Sequence, residues 1–337
     1  MDSTSPAIPG VEGLPPPARL RAALTAVARD PAAREIARRF RALAGEERAV
    51  IACSGGADSS ALALVIGAHN WTDRSTYSHV LHDMRPRAAA EADRDFVRAL
   101  AMSLGGRFEE REVAVPRDEN AEGAARRLRY GALIDIARAH HCGVVVTAHH
   151  ADDQLETMLL ALVRGAGPKG VSGMRPKRRL ADGITLVRPM LGVSRADCER
   201  ICAIAGVTWR VDATNSDVAR ARAAVRLRVL PALEELRPGA AQRAAHSANL
   251  LHDAWLLVDA RTDQVFGDGH DWARSGLRVQ PALVVGEGLR RAFAKTTSGA
   301  HKDRLPRRVV EQAVAHIRSN SGESKVFQWP RGVRVEV

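Results

Sequence analysis

Lysine is nearly missing from this chain. Only five of its 50 basic residues are lysine, namely Lys169, Lys177, Lys295, Lys302 and Lys325, and arginine supplies the rest. Aromatics are scarce too, at 4%, so aliphatic side chains must fill most of any core. No apolar run approaches the roughly 18 residues that cross a bilayer, which argues against a membrane-spanning helix. The opening stretch MDSTSPAIPGVEGLPPPARL has no basic segment followed by an apolar one. It reads as a flexible leader over residues 1–16 rather than a secretory signal. Cysteine is limited to Cys53, Cys142, Cys198 and Cys202, too few and too scattered for a disulfide framework. Cys198 and Cys202 fall on one helix face, but their spacing suits neither a zinc knuckle nor a Cys-x-x-Cys redox pair. Core burial in a reducing, cytoplasmic setting is the expectation.

What is present is an ordinary globular composition over 337 residues, 45% hydrophobic and 26% charged, long enough for two domains. A formal net charge of +11 favours nucleic-acid or nucleotide partners, although a proteome-wide arginine bias would give the same excess. Residues 17–44 set Ala, Leu and Arg at helical spacing. Candidate strands at 48–53, 77–82, 107–113 and 143–148 then alternate with helices that open at Asp58, span 88–104 and 120–141, and cover ADDQLETMLLALVR. That alternation predicts an α/β fold with a doubly wound parallel sheet. The expected organisation is one such domain over 17–237, a helical linker over 238–262 and a small second domain over 263–337.

The strongest local signal is Ser54-Gly55-Gly56-Ala57-Asp58-Ser59 between the first strand and its helix. Two glycines let successive backbone N–H groups converge on an anion, and the helix N-terminus adds its positive dipole end. No Gly-Lys-Ser/Thr follows, so the loop is not of the Walker type. Asp58 is a candidate Mg²⁺ ligand, or simply a helix cap. A second block, Thr147-Ala148-His149-His150-Ala151-Asp152-Asp153-Gln154-Leu155-Glu156-Thr157, sits where a strand end meets a helix start, the ligand edge of an open parallel sheet. Glu156 lies one helical turn from Asp152 and Asp153, a pairing able to grip an ammonium or a cation. The alternative is that both aspartates merely favour a helix N-terminus.

The SGGxDS loop resembles that of the PP-loop ATP pyrophosphatases, and the remaining motifs resemble the tRNA(Ile)-lysidine synthetase family within them. The His-His-x-x-Asp helix is one such motif. Others are Val80-Leu81-His82-Asp83-Met84-Arg85, the Asn120–Tyr130 stretch with Arg126, Arg129 and Tyr130, and the glycines of 165–173. Arg188-Pro189-Met190-Leu191, Asp212-Ala213-Thr214-Asn215, Arg222-Ala223-Ala224-Val225-Arg226 and Leu230-Pro231-Ala232-Leu233 complete the set, so the resemblance covers about 46–235. Asp83 stands where the family has glycine and Ala223 where it has asparagine.

The resemblance implies a Rossmann-like PP-loop fold that uses ATP and Mg²⁺ to adenylate the wobble cytidine of tRNA(Ile) bearing a CAU anticodon. L-lysine then displaces AMP. In that scheme Ser54, Gly55, Gly56, Ala57, Asp58 and Ser59 hold the ATP phosphates, with Mg²⁺ at Asp58, and His82 lines the adenine side. His149 contacts the reacting base or α-phosphate, Arg126 stabilises the adenylated base or phosphates, and Asp153 and Glu156 take lysine or, through Asp153, a second Mg²⁺. Arg129, Arg222 and Arg226 contact RNA or nucleotide phosphate, though exposed arginine faces would look the same. Family members are often homodimers. Two alternatives are a PP-loop tRNA thiolase, which would want paired cysteines, and a catalytically silent tRNA-binding paralogue.

Overall fold

The computed structural model describes residues 11–83, 86–116, 121–210, 221–297 and 305–337. Met84, Arg85, Asn120 and the 212–215 segment lie outside the described residues. The chain forms two compact units, 1–249 and 250–337.

The first unit is built on strands β1 (Ala49–Ala52), β2 (Ser75–His82), β3 (Arg107–Val113), β4 (Val144–Thr147), β5 (Lys177–Ala181) and β6 (Ile184–Val187). Its helices are α1 (Pro17–Arg29), α2 (Pro31–Ala44), α3 (Ala57–Ala68), α4 (Arg87–Ser103), α5 (Ala121–Ala139), α6 (Ala151–Val163), the single turn α7 (Pro168–Val171), α8 (Arg195–Ala205), α9 (Ala221–Ala224) and α10 (Leu230–Leu236). The strand order is β3-β2-β1-β4-β6-β5, parallel except that β5 runs antiparallel to β6. The α/β reading is borne out.

The buried strands β1 and β4 are short β-branched runs whose side chains alternate between two cores. Ile51, Val144 and Val146 join α1–α4 and α8 on one face; Val50 and Val145 join Leu133, Ile136 and Ala137 of α5 on the other. Because β1 pairs with β2 on one side and β4 on the other, the chain winds outward both ways from the β1/β4 pair. Such a reversal opens a crevice at the C-terminal ends of those two strands. The sequence motifs at 54–59 and 147–157 both leave the sheet there.

Two stretches depart from the sequence-based expectation. Residues 11–16, the end of the expected leader, pack on the core through Val11 and Leu14, and the Thr208 amide donates to the Gly13 carbonyl at 2.8 Å. Composition averaged over the stretch hides that apolar pair. The β5–β6 hairpin was not expected at all, because Lys177-Arg178-Arg179 is polar and exposed. Its Asp182-Gly183 turn, with Gly183 at φ 70°, carried the available signal.

The division between units falls inside α11 (Ala240–Phe266), the helix expected as a linker. The second unit continues with α12 (Arg274–Arg278), α13 (Ala282–Thr296), α14 (Arg307–Arg318) and the antiparallel pair β7 (Val326–Gln328) and β8 (Arg334–Glu336). Its core gathers Val285, Leu289, Phe293, Val310, Ile317 and Trp329.

Candidate active site

The turn after β1 is shaped by Gly55, whose φ of 88° a side chain would oppose. Its carbonyl accepts from the Arg210 amide at 3.0 Å. Ser54 and Ser59 brace the turn: the Ser54 amide donates to Ser59 Oγ at 3.0 Å, and the two hydroxyls meet at 3.1 Å. Gly56 occupies the cap position of α3 and no side chain caps the helix. Asp58 is therefore not the cap; it lies within the first turn of α3. Among the described residues no side chain caps the first amides of α3, an apolar, buried helix, and an N-terminus left so suits a phosphate.

Opposite, the β4 strand ends in two histidines that face different partners. His150 is buried, its Nε2 lying 3.4 Å from Asp58 Oδ2 and 3.5 Å from Asp153 Oδ2, its Nδ1 3.3 Å from Asp152 Oδ2. Burial pushes its pKa down, but the carboxylates of Asp153, Asp152 and Asp58 outweigh burial and raise it to about 10. His150 thus ties the β4 exit to the turn after β1 through Asp58. His149 is the converse. Its Nδ1 meets Thr147 Oγ1 at 2.8 Å, and burial, with the charges of Arg188, Arg126 and Arg129, outweighs the pull of Asp153 and lowers its pKa to about 3. His149 is neutral at physiological pH.

The sign of the His150 shift gives a measurable consequence. The unfolded histidine titrates near 6.5, so the folded state alone keeps this proton from there up to about pH 10. Stability should fall as pH rises from 7 to 9, by at most about 1.4 kcal/mol per pH unit, the limit for one proton. His150→Asn should flatten that slope in urea titrations. An equal slope in the variant would assign the proton elsewhere.

Asp153 and Glu156 stand together on α6, and Glu156 is fully buried. They face Arg222 and Arg226. Arg222 Nε donates to Glu156 Oε2 at 2.7 Å and Arg226 Nε to Glu156 Oε1 at 2.5 Å. Both Nη2 groups reach Asp153 Oδ1 at 3.1 Å. The two arginines assigned from the sequence to phosphate are thus folded back onto the two carboxylates assigned to lysine. The spacing of four holds both guanidiniums on one side of the helical stretch.

Arg126 donates to the Tyr130 hydroxyl at 3.3 Å and lies over its ring, with Arg129 beside it. His82 closes β2 one strand from the turn. Asp83, the departure from the family glycine, accepts from the Val115 amide at 2.8 Å and so fastens the end of β2 to the segment after β3. Ala223 sits in α9 between the two clamp arginines. Beyond the residues expected from the sequence, the site includes His150 and Arg178, whose guanidinium lies 5.2 Å from the Tyr130 ring centroid.

The glycine-rich loop after α6 is held by Gln154, whose amide both donates to the Met174 carbonyl at 3.1 Å and accepts its N–H at 2.7 Å. A Cβ on Gly173 would lie 2.7 Å from that side chain. Gln154→Ala strands both backbone groups and should cost about 1–3 kcal/mol by urea denaturation. A loss within error of zero would show that the loop holds itself.

A family model described as a PP-loop domain matches residues 29–233. The tRNA(Ile)-lysidine synthase of Geobacter sulfurreducens is 38% identical over 224 residues, 65% of this chain and 47% of that one. That of Salinispora tropica is 42% identical over 298 residues, 85% of this chain and 87% of its own length. The chain thus spans about half of the first relative and most of the second. Among solved structures, a U34-tRNA thiolase from Methanococcus maripaludis with its [4Fe-4S] cluster aligns at a TM-score of 0.51 and 13% identity, covering 65% of this chain and 78% of that one, a likeness of fold. With its Ser54-Gly55-Gly56 turn at the β1 exit and its paired histidines at the β4 exit, this chain belongs to the tRNA(Ile)-lysidine synthase family and carries that family's ATP-binding PP-loop domain.

Proposed function

We propose that the protein is a ligase joining L-lysine to C2 of the wobble cytidine in tRNA(Ile) with a CAU anticodon, at the expense of ATP, to give lysidine, AMP and pyrophosphate. One observation carries the reading: the uncapped α3 N-terminus behind Ser54-Gly55-Gly56 lies across the β1/β4 crevice from His149. The relatives' name supplies the substrates; the crevice supplies chemistry that fits them.

The oxygen on cytosine C2 is a poor leaving group. Its attack on the α-phosphorus of ATP forms an O–P bond and expels pyrophosphate. The lysine ε-amine then forms a C–N bond at C2, and AMP departs with the oxygen. Ser54, Gly55, Gly56, Ala57 and Ser59 hold the pyrophosphate end, and His82 lines the adenine side. Arg126 stabilises the adenylated base. The amine must lose a proton before it attacks, and neutral His149 becomes a competent acceptor where a bound anion lifts its pKa from about 3. The charge of a bound triphosphate raises the proton affinity of that ring.

Asp58 suits Mg²⁺. Its Oδ1 is buried without a hydrogen-bond partner among the described residues, and one carboxylate plus phosphate oxygens is a usual Mg²⁺ complement. Asp58 would hold the ion there, and its charge would offset that of the leaving pyrophosphate. Asp153 is poorly suited to a second ion, because Arg222, Arg226 and the His150 amide already occupy its oxygens. Lysine's ammonium enters at Asp153 and Glu156 by displacing a guanidinium, and Arg222, more exposed than Arg226, has the room to leave.

Lysine incorporation into unmodified tRNA(Ile), with AMP and pyrophosphate quantified together, tests the reading. Equal amounts of all three are expected. Pyrophosphate release with sulfur delivery and no lysine would favour the thiolase alternative, and tRNA binding without pyrophosphate the silent one. All four cysteines are buried, and burial pushes the Cys53 and Cys202 thiols up to about 12, a poor setting for sulfur transfer.

A further inference from the structure

The charge around Tyr130 is distributed unlike that around Glu156. Arg222 and Arg226 are matched by two carboxylates. Arg126, Arg129 and Arg178 instead crowd one phenol ring, at 5.1, 5.7 and 5.2 Å from its centroid. Among the described residues no carboxylate lies within ion-pair distance of any of them. Beneath them is a fourth arginine, Arg188, only 3% exposed. Its Nη1 donates to the Arg175 carbonyl at 2.8 Å, while its Nε is buried without a hydrogen-bond partner among the described residues. Burial pushes the Tyr130 hydroxyl up, yet the four guanidiniums outweigh it and hold the group below its usual range. A buried, partly unpaired guanidinium under three exposed ones is costly unless an anion completes the set.

The topology explains how the group forms. The antiparallel β5 strand brings Arg178 back beside the end of β6, where the Arg188 amide donates to the Pro176 carbonyl at 2.8 Å. Helix α5 contributes Tyr130 to the core shared with β4 and β6, and holds Arg126 and Arg129 exposed beside it. Arg178 and Arg188 therefore flank β4 on the side away from the β1 turn, and the charges of Arg188, Arg126 and Arg129 act on His149. The crevice is ordered along the sheet edge as phosphate-binding turn, His149, then arginine cluster.

We propose that Arg126, Arg129, Arg178 and Arg188 form an anion subsite for a phosphodiester of the RNA backbone next to the target base, which fixes that base over His149. The subsite rests on the RNA substrate proposed above. Planar guanidiniums suit phosphate oxygens, and a phosphate contact positions a nucleotide without reading its sequence. An ATP phosphate or the carboxylate of lysine offers related chemistry, so the test must separate the three sources.

Arg178 is exposed on an edge strand, so its replacement leaves the core untouched. Binding of unmodified tRNA(Ile) to Arg178→Ala, Arg178→Glu and Arg178→Lys proteins should be measured across a salt series, with KM for ATP and lysine measured in parallel. Arg178→Ala is expected to weaken RNA binding about 5- to 10-fold and to reduce the slope of log affinity against log salt by about one. Arg178→Glu should weaken it further and Arg178→Lys restore most of it, with both small-molecule KM values unmoved. Unchanged RNA affinity and slope would overturn the subsite: a raised KM for ATP or lysine would then identify the anion, and no change anywhere would leave a solvated arginine face. If the unaltered protein failed to bind the RNA, the substrate reading would fall and the subsite with it. Binding by the unaltered protein with an indifferent Arg178→Ala would remove the subsite alone.

Discussion

Asp58→Ala should lower lysine incorporation at least about 10²–10³-fold, the scale of losing one electrostatic group aimed at a developing charge. Pyrophosphate release should fall in parallel, because in the proposed reaction adenylation precedes lysine attack and the lost carboxylate serves that first step. The fold should survive: Asp58 lies in the first turn of α3, its side chain is 30% exposed, and His150 keeps Asp152 and Asp153 as partners. Circular dichroism and urea midpoints close to those of the unaltered protein, beside a lost pyrophosphate signal, are the expected pair of results. Full pyrophosphate release from the variant would remove Asp58 from the chemistry.

Glu156→Ala should act on stability and activity together. Glu156 is fully buried and answers two guanidiniums, and removing one partner of a buried pair typically costs about 3–5 kcal/mol. The lower end applies, since Arg222 keeps access to solvent with 41% of its side chain exposed. A double-mutant cycle with Arg226→Ala should recover part of the loss, with a coupling of about 0.5–3 kcal/mol. Glu156→Gln keeps the volume and one acceptor, so it should lose less stability than Glu156→Ala while still raising KM for lysine. Additive effects in the cycle would mean that Arg226 and Glu156 touch without depending on each other.

Much of the fold could be read locally. Val144-Val145-Val146 and Ala49-Val50-Ile51 are β-branched runs bounded by turns, and each is a buried central strand. The 107–113 strand was recovered with the boundaries expected of it. The β5–β6 hairpin was missed because an arginine-rich edge strand has no apolar alternation to detect. Position along the sheet edge was equally legible, since both motifs follow strands that end at the switch point.

Pairing within the site was less legible. Arg222 and Glu156 are 66 residues apart, and nothing local to either says which charge it will meet. The same ambiguity hides from the sequence that Arg222 and Arg226, expected to contact phosphate, also pair with Asp153 and Glu156. His149 and His150 are adjacent and chemically alike in sequence. Only the alternation at a strand end sends one toward arginines and the other toward Asp58, leaving the first neutral and the second charged.

Adenylation of the base leaves a trace in the product that hydrolysis of ATP does not. With tRNA(Ile) carrying ¹⁸O on C2 of the wobble cytidine, mass spectrometry of the released AMP is the most direct measurement. The C2 oxygen should leave on phosphorus, so AMP formed with lysidine should carry one ¹⁸O. Unlabelled AMP accompanying full lysine incorporation would mean that this oxygen never reached the α-phosphate, and that the crevice does not activate the base.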